Sequence, residues 1–166
     1  NLEFELSRAK SEIKIEPITT QDRVNDVSAG AASPTRATFS GGRTPGLEDE
    51  IDAIQIASTG NGADFGNLSV ARRSTAQTSS TTRALVGGGA LAPGDSDVID
   101  YHQFASFGNA TDFGDLSAGV ARLGAVSNST RAVFGGGDTP SYVDVMDYVT
   151  IDTLGNSSDF GDLSVA

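Results

Sequence analysis

Short apolar runs separated by polar residues and glycines cover most of the chain, and this pattern is typical of β-strands. Residues 131–134 form one such run in front of a glycine cluster, and residues 143–151 are rich in Val, Tyr and Ile. These β-branched and aromatic residues are enriched in strands. Residues 159–164 predict a return strand whose Phe and Leu anchor the core. Residues 122–127 predict a weaker fourth strand with small side chains.

The same pattern occurs three times, so the chain is built from repeats. Thr-Arg pairs end at Arg36, Arg83 and Arg131, at spacings of 47 and 48 residues. Each pair leads into a glycine cluster, and a segment of the form Asp-Phe-Gly-Asn/Asp-Leu-Ser follows later in each copy. The aligned glycine, phenylalanine and leucine positions are Gly41, Gly42, Gly87, Gly88, Gly135, Gly136, Phe65, Phe113, Phe160, Leu68, Leu116 and Leu163. We expect the phenylalanines and leucines to be buried at equivalent places.

Two shorter signals recur within each copy. A Gly-Asn pair stands before each Asp-Phe-Gly segment, and both residue types tolerate the positive φ of a tight hairpin turn. We therefore expect the Gly-Asn pairs to form such turns. Val-Ala-Arg ends the first copy at Arg72 and the second at Arg122, which aligns these two arginines.

A period near 48 residues is typical of propellers, solenoids or arrays. Four short antiparallel strands in such a unit match the size of a propeller blade. We expect an all-β fold with β-propeller-like blades at about 25–71, 72–121 and 122–166, forming an incomplete ring. Because propellers usually have at least about four blades, we expect further repeats or other chains to complete the assembly. Residues 1–24 lack the repeat and are expected to form an N-terminal connector.

The repeat resembles the kelch repeat, in which a small-residue strand and an apolar residue precede a double glycine and a later strand carries a large ring. Kelch blades usually have Trp there, whereas this chain has Phe65, Phe113 and Phe160. The repeated phrases Thr-Arg-Ala-Val-Phe-Gly-Gly-Gly and Asp-Phe-Gly-Asp-Leu-Ser are similar to repeats in large virion structural proteins of tailed phages, especially marine ones. That resemblance, over about residues 25–166, implies a component of a tail, fibre or other virion surface.

Composition restricts the partners. Hydrophobic residues make up 37 % of the chain, without Trp, so the core is expected to be thin. The net charge is −11 and both lysines lie within the first fourteen positions, so no basic stripe is available for nucleic acid. Anionic membrane surfaces are disfavoured for the same reason, and no apolar run is long enough to span a bilayer. Without Cys, disulfides and thiolate metal sites are excluded.

No residue pattern points to catalysis, a cofactor or a metal. His102 is the only histidine and no Gly-x-Ser-x-Gly motif accompanies it, so a structural or solvent-facing role is expected. The glycine clusters lack the lysine of a phosphate-binding loop, and crowded backbone that leaves no room for a Cβ explains them better. Repeated aspartates such as Asp112 and Asp115 lack the spacing of a calcium loop. Turn capping is the favoured role for them, and calcium binding is left open.

The repeated arginines lie near repeated aspartates in each copy. This arrangement predicts Arg–carboxylate contacts that link strands or neighbouring repeats, with bidentate geometry available to the guanidinium. Ligand binding by Arg36, Arg83 and Arg131 is the alternative.

These observations favour a non-enzymatic virion structural protein that forms homo-oligomers and contacts other virion subunits. The segments 43–50, 90–97 and 138–144 differ most among the copies, so contacts with host glycan, host protein or neighbouring subunits are expected there. Candidate contact residues are Arg43, Glu48, Asp95, Asp97, Asp138 and Tyr142. A secreted or cell-surface adhesion filament and a polysaccharide-acting enzyme domain are the alternatives.

Overall fold

The computed structural model describes residues 29–165, so the expected connector at 1–24 lies outside the described residues. Every regular element in the described range is a β-strand. The strands are β1 (Ala29–Ala32), β2 (Arg36–Thr44), β3 (Gly46–Gln55), β4 (Ala63–Asn67), β5 (Ala76–Ser79), β6 (Arg83–Gly87), β7 (Val98–Gln103), β8 (Thr111–Asp115), β9 (Gly124–Ser127), β10 (Arg131–Gly135), β11 (Asp138–Thr139), β12 (Ser141–Tyr142), β13 (Val145–Thr150) and β14 (Ser158–Asp162).

The strands form three antiparallel four-stranded sheets, which we call the first, second and third units. Their orders are β1-β2-β3-β4, β5-β6-β7-β8 and β9-β10-β13-β14. Each strand pairs with the next long strand along the chain, and β11 and β12 form a separate small hairpin between β10 and β13. The expectation of an all-β chain is confirmed for the described residues, and none of the three sheets closes into a barrel.

The units share local geometry as well as strand order. In each unit the pairing of the third with the fourth strand contains a register shift, next to Asp52, Asp100 and Asp147 respectively. A bulge of this kind changes the direction of the neighbouring side chain. The repeated Ile/Met-Asp sequence therefore marks a repeated irregularity of the backbone. The first strands β1, β5 and β9 lie side by side, which places equivalent edges of the three sheets together.

The burial of the second strand depends on the position of its sheet. In β6 the residues Ala84, Leu85 and Val86 are all buried, because neighbouring units cover the middle sheet on both faces. In β10 the buried residues Ala132 and Phe134 alternate with more exposed ones, which is typical of a strand covered on one face. The two strands have closely similar sequences, so the difference comes from their neighbours.

The hydrophobic core lies between the sheets and is thin. Leu85, Ile99 and Phe113 of the second unit belong to one buried cluster with Phe134 and Ile151 of the third unit. A smaller cluster joins residues of the first unit to Val86 of the second. Each unit therefore buries its apolar side chains against a neighbouring unit, as repeat proteins do.

The predicted phenylalanine and leucine anchors differ in burial at one end of the described region. Phe65, Leu68, Phe113 and Leu116 are buried. Their equivalents Phe160 and Leu163 are 47 % and 41 % exposed, so the expectation that they are buried was wrong. Within residues 29–165 no fourth sheet lies beyond β14 to cover them.

The Gly-Asn pairs do not form the expected tight turns. They lie within the longer loops that join the third strand to the fourth, at 56–62, 104–110 and 151–157. A two-residue turn would have placed these strands in immediate succession. The role of the Gly-Asn pair is instead found in the contacts between units.

Candidate functional site at the interfaces between units

The outer strands of the first two units are each paired by a loop of the following unit. The N–H of Gly108 donates to the carbonyl of Phe65 over 2.8 Å, and the N–H of Ala110 donates to the carbonyl of Asn67 over 2.8 Å. We call the loop segments 60–62, 108–110 and 155–157 the clasp segments. The second interface repeats both bonds, from Gly155 to the carbonyl of Phe113 over 2.9 Å and from Ser157 to the carbonyl of Asp115 over 2.7 Å.

In the second and third clasp segments the asparagine adds a side-chain bond. Oδ1 of Asn109 accepts the N–H of Asn67 over 3.1 Å, and Oδ1 of Asn156 accepts the N–H of Asp115 over 3.2 Å. These bonds satisfy backbone groups on the free edge of β4 and β8, which would otherwise need water. The repeated Gly-Asn signal thus specifies a link between units.

The glycine of the Asp-Phe-Gly segment is required by the same contact. A Cβ on Gly66 would overlap the backbone of Gly108, and a Cβ on Gly114 would overlap the backbone of Gly155. Both glycines also have positive φ, at 150° and 146°. At the equivalent Gly161 no described atom lies within 4 Å of the Cβ position. Close approach of the next unit therefore explains the first two glycines.

The repeated arginines link units, but through backbone carbonyls and not through the predicted carboxylates. Nη1 of Arg36 donates to the carbonyl of Phe104, and Nη1 of Arg83 donates to the carbonyl of Ile151 over 2.6 Å. The guanidinium of Arg83 also lies 4.5 Å from the ring centroid of Tyr101. Such stacking on an aromatic face is a favourable use of arginine. For Arg36 and Arg83 the predicted structural bridge is present, but its acceptor is a backbone carbonyl and not the predicted carboxylate.

Arg131 keeps only part of this arrangement. Its guanidinium lies 4.4 Å from the ring centroid of Tyr148, as Arg83 does on Tyr101. No carbonyl of residues 29–165 accepts its hydrogen bond in the way that Ile151 accepts the bond of Arg83. Within the described part of the chain, Arg131 is therefore exposed and keeps the stacking on a tyrosine ring without the hydrogen bond to a following unit.

Serine hydroxyls connect the first strands of successive units. Oγ of Ser79 donates to the carbonyl of Ala32 over 2.9 Å, and Oγ of Ser127 donates to the carbonyl of Ser79 over 2.7 Å. The three residues are spaced by 47 and 48, so the bond is repeated with the unit. It fixes the order of the units, because each donor lies one unit after its acceptor.

A buried ion pair crosses the first interface. Nη2 of Arg72 lies 3.0 Å from Oδ2 of Asp100, and neither side chain has any exposed surface. The same oxygen accepts the N–H of Ser69 over 3.1 Å. Burial lowers the pKa of Arg72, while the charges of Asp100 and Asp112 raise it. The sequence marked Arg72 only as the end of the first copy, and it did not predict the pairing with Asp100, although the aspartate recurs in every copy.

The sequence alignment of Arg72 with Arg122 is wrong by two residues. The N–H of Gly42 donates to the carbonyl of Arg72, and the N–H of the equivalent Gly89 donates to the carbonyl of Val120. Val120 therefore occupies the place of Arg72. Arg122 is an exposed residue with φ of 58° and forms an ion pair with Asp138. The two extra small residues before Val120 produced the false match of Val-Ala-Arg.

His102 lies in the first interface and is buried. Its Nε2 is 3.0 Å from Oγ1 of Thr38, and its ring lies 5.1 Å from the ring of Phe65, centroid to centroid. Burial lowers its pKa to about 4, so the ring is neutral at neutral pH. No Ser hydroxyl within the described residues bonds to the ring, and the arrangement holds the two units together.

The glycine clusters lie where strands of different segments approach. A Cβ on Gly41 would overlap the carbonyl oxygen of Arg72, and a Cβ on Gly88 would overlap the carbonyl oxygen of Val120. Both residues have left-handed φ, at 69° and 63°. Gly42 differs, because no described atom lies near its Cβ position and its φ of 135° alone favours glycine. The prediction of crowded backbone holds for Gly41 and Gly88.

The three variable segments join the second strand of each unit to the third. In the first unit the segment continues the β2–β3 hairpin, and in the third unit it contains β11 and β12. Arg43 and Asp97 are exposed, and Tyr142 is 80 % exposed. Arg43 also donates from Nε to the carbonyl of Pro45 over 3.2 Å. Three further contact residues have partners in the chain: Glu48 accepts from Oγ1 of Thr44, Asp95 lies in a bridge with Ala90, and Asp138 pairs with Arg122.

The described residues contain no group of three or more His, Asp or Glu side chains that could hold a metal ion. No helix that could cross a membrane was found among them. Comparison with known proteins finds no family model that matches the chain and no match among curated proteins.

Proposed function

We propose that this chain is a non-enzymatic virion structural protein, a tail or surface-fibre component whose kelch-like blades assemble through their repeat interfaces. The similarity of the repeated phrases to phage virion repeats supports the virion assignment. The observation that carries the assembly is the set of clasp bonds that recurs at both interfaces. The clasp segment and the outer strand that make these bonds are each present without a partner at the outer faces of residues 29–165.

The outer face of the third unit offers the acceptor half. In the first two units, the carbonyls of Phe65 and Phe113 each accept a hydrogen bond from the clasp segment of the following unit. The equivalent Phe160 has no such partner within residues 29–165, and its side chain is half-exposed. Gly161 keeps the positive φ and the open space that a clasp backbone would occupy.

The outer face of the first unit offers the donor half. Its clasp segment 60–62 is exposed and makes none of the bonds that 108–110 and 155–157 make within residues 29–165. Asn61 occupies the place of Asn109 and Asn156, whose Oδ1 atoms accept a strand N–H. The two outer faces are thus complementary: the clasp segment offers backbone N–H donors and the Asn61 Oδ1 acceptor, and the outer strand β14 offers the matching carbonyl and N–H groups.

Complementary but different faces produce head-to-tail association of copies. Such a heterologous contact gives a closed ring when the rotation closes and a filament when it does not. The partner that fits both faces is a second copy of this chain. The segments 43–50, 90–97 and 138–144 remain available in the assembly, and they are the proposed contacts with host glycan, host protein or other virion subunits.

Assembly is tested by measuring the mass of the 166-residue chain against concentration by light scattering. We expect the mass to rise with concentration. Phe160→Asp, which places a charge on the acceptor face, and Asn61→Ala, which removes the clasp acceptor, should both reduce association. Tyr142→Asp is the matched control, because Tyr142 is exposed and belongs to the β11–β12 hairpin, not to the clasp segments or to β14. A monomer at every concentration would contradict the proposed assembly.

The virion assignment is tested separately by mass spectrometry and antibody labelling of purified phage particles. Peptides of this chain and labelling at a tail or surface fibre are expected. Absence from the particles would overturn the virion assignment while leaving self-association intact. Depolymerisation of a host polysaccharide by the purified chain would overturn the non-enzymatic assignment.

A further inference from the structure

The second interface contains a vacant counterpart of the Arg72 site. In the first interface the guanidinium of Arg72 fills the space between units. Its Nη1 donates to Oγ of Ser96 over 3.2 Å and to the carbonyl of Val98 over 3.1 Å. Its Nη2 donates to the carbonyl of Val86 over 3.1 Å and to Asp100 over 3.0 Å.

The carboxylate of this site is retained in the second interface and the arginine is not. Asp147 takes the place of Asp100, since each aspartate accepts the N–H of the serine that follows the preceding unit's outer strand. Val120 takes the place of Arg72, as the equivalent carbonyl bonds show. The chain therefore buries a second aspartate without supplying the cation that accompanies the first.

Asp147 is 6 % exposed, so its charge is largely removed from water. Its Oδ2 accepts the N–H and the Oγ–H of Ser117, over 2.9 and 2.7 Å. Its Oδ1 has no hydrogen-bond partner in the described part of the chain, and no cation of residues 29–165 forms an ion pair with it. A buried carboxylate in this state is unfavourable unless a cation reaches it.

A cavity of about 60 Å³ lies beside this carboxylate. That volume is larger than the roughly 10–15 Å³ that a single buried water needs, so the cavity has room for a small ligand. Leu116, Val120, Leu123 and Phe134 form its apolar walls, and Asp147 is the one charged residue among those that line it. Guanidinium is weakly hydrated and stacks on apolar and aromatic surfaces, which suits it to such walls better than an ammonium ion.

We propose that the cavity between the second and third units binds a small guanidinium-bearing ligand, with its cation on Asp147. The ligand occupies the place that Arg72 occupies one interface earlier. The first interface, where the guanidinium of Arg72 lies on Asp100, is thus the occupied form of the same site. Binding joins Asp147 of the third unit to the walls contributed by Leu116 and Val120 of the second.

The test uses the 166-residue chain, with methylguanidinium chloride as the probe and backbone amide NMR as the readout. We expect saturable shifts centred on the amide of Ser117, which donates to Asp147. Methylammonium chloride at the same ionic strength is expected to give no saturable shift. Asp147→Asn should weaken binding by about tenfold or more, because a hydrogen bond to a charged group is lost. Asp152→Asn, an exposed aspartate in a loop, is the matched control.

A second variant keeps the test decisive if Asp147→Asn does not fold. Val120→Arg carries a guanidinium at the position that corresponds to Arg72, so it should fill the cavity and abolish binding of methylguanidinium. A folded Val120→Arg variant that still binds the probe at Ser117 would overturn the proposal. Absence of saturable binding to the unaltered chain, or equal binding of methylammonium, would overturn it as well.

Discussion

Arg72 and Asp100 form a fully buried ion pair between two different units, with 3.0 Å between Nη2 and Oδ2. Arg72 follows the outer strand of the first unit, and Asp100 lies on the third strand of the second. The pair has four further polar contacts, through Ser69, Ser96, Val86 and Val98. This surrounding of polar contacts allows both charges to remain buried.

Removal of one partner of this pair should strongly destabilise the fold. Arg72→Met leaves the charge of Asp100 buried without a cation, and we expect the free energy of unfolding to fall by about 3–5 kcal/mol. Arg122→Met removes the exposed ion pair with Asp138 and should change it far less, because water screens exposed ion pairs. Urea unfolding of the two variants measures the difference. Equal effects would show that the Arg72 pair is not the buried link described above.

The equivalent phenylalanines should differ in their contribution to stability. Phe113 is 3 % exposed and Phe160 is 47 % exposed. Phe113→Ala is expected to lower the free energy of unfolding by about 3–5 kcal/mol, as for other buried aromatic residues. Phe160→Ala should cost about 1 kcal/mol or less. Thermal or urea unfolding at low protein concentration, where association is minimal, provides the measurement, and a small loss for Phe113→Ala would contradict its burial.

Alanine substitutions at two equivalent glycines should distinguish the cost of backbone strain from the cost of crowding between units. Gly114 and Gly161 both have positive φ, at 146° and 125°, so alanine is strained at either position. Only at Gly114 does the added Cβ also overlap the backbone of Gly155. We expect Gly114→Ala to be the more destabilising by at least about 1 kcal/mol, because crowding adds to the strain. Equal losses in unfolding experiments would refute close approach of the third unit at Gly114.

Stability should depend on pH through His102. Burial lowers its pKa to about 4, whereas the unfolded chain has a value near 6.5. The unfolded chain therefore binds the proton more strongly, and stability is lost as the pH falls from about 6.5 to about 4. Between about pH 7 and pH 4.5, the unaltered chain should lose about 2–3 kcal/mol more than His102→Gln does. Chemical unfolding at both pH values gives this comparison, and parallel losses would mean that His102 is not buried in its neutral form.

Local features of the fold follow from the sequence. The Thr-Arg and Asp-Phe-Gly segments recur with the unit, and alternation of apolar residues is sufficient to predict β10, β13 and β14. The glycine clusters lack the lysine of a phosphate-binding loop, so the sequence predicted crowded backbone there. The structure shows such crowding at Gly41 and Gly88. These properties depend on φ/ψ preferences and side-chain alternation within a few residues, which are the same wherever the segment lies.

Contacts between units were decided by the tertiary structure. Arg83 binds the carbonyl of Ile151, and a carbonyl acceptor leaves no mark on the sequence because every residue has one. Equivalent backbone hydrogen bonds show that Val120 corresponds to Arg72 in the repeat, whereas the match of Val-Ala-Arg had aligned Arg72 with Arg122. Phe160 has the same local sequence as Phe113 and differs from it in burial, because burial requires a neighbouring unit. The sequence thus determined each unit, and the packing of units determined which side chains became links, core or open surface.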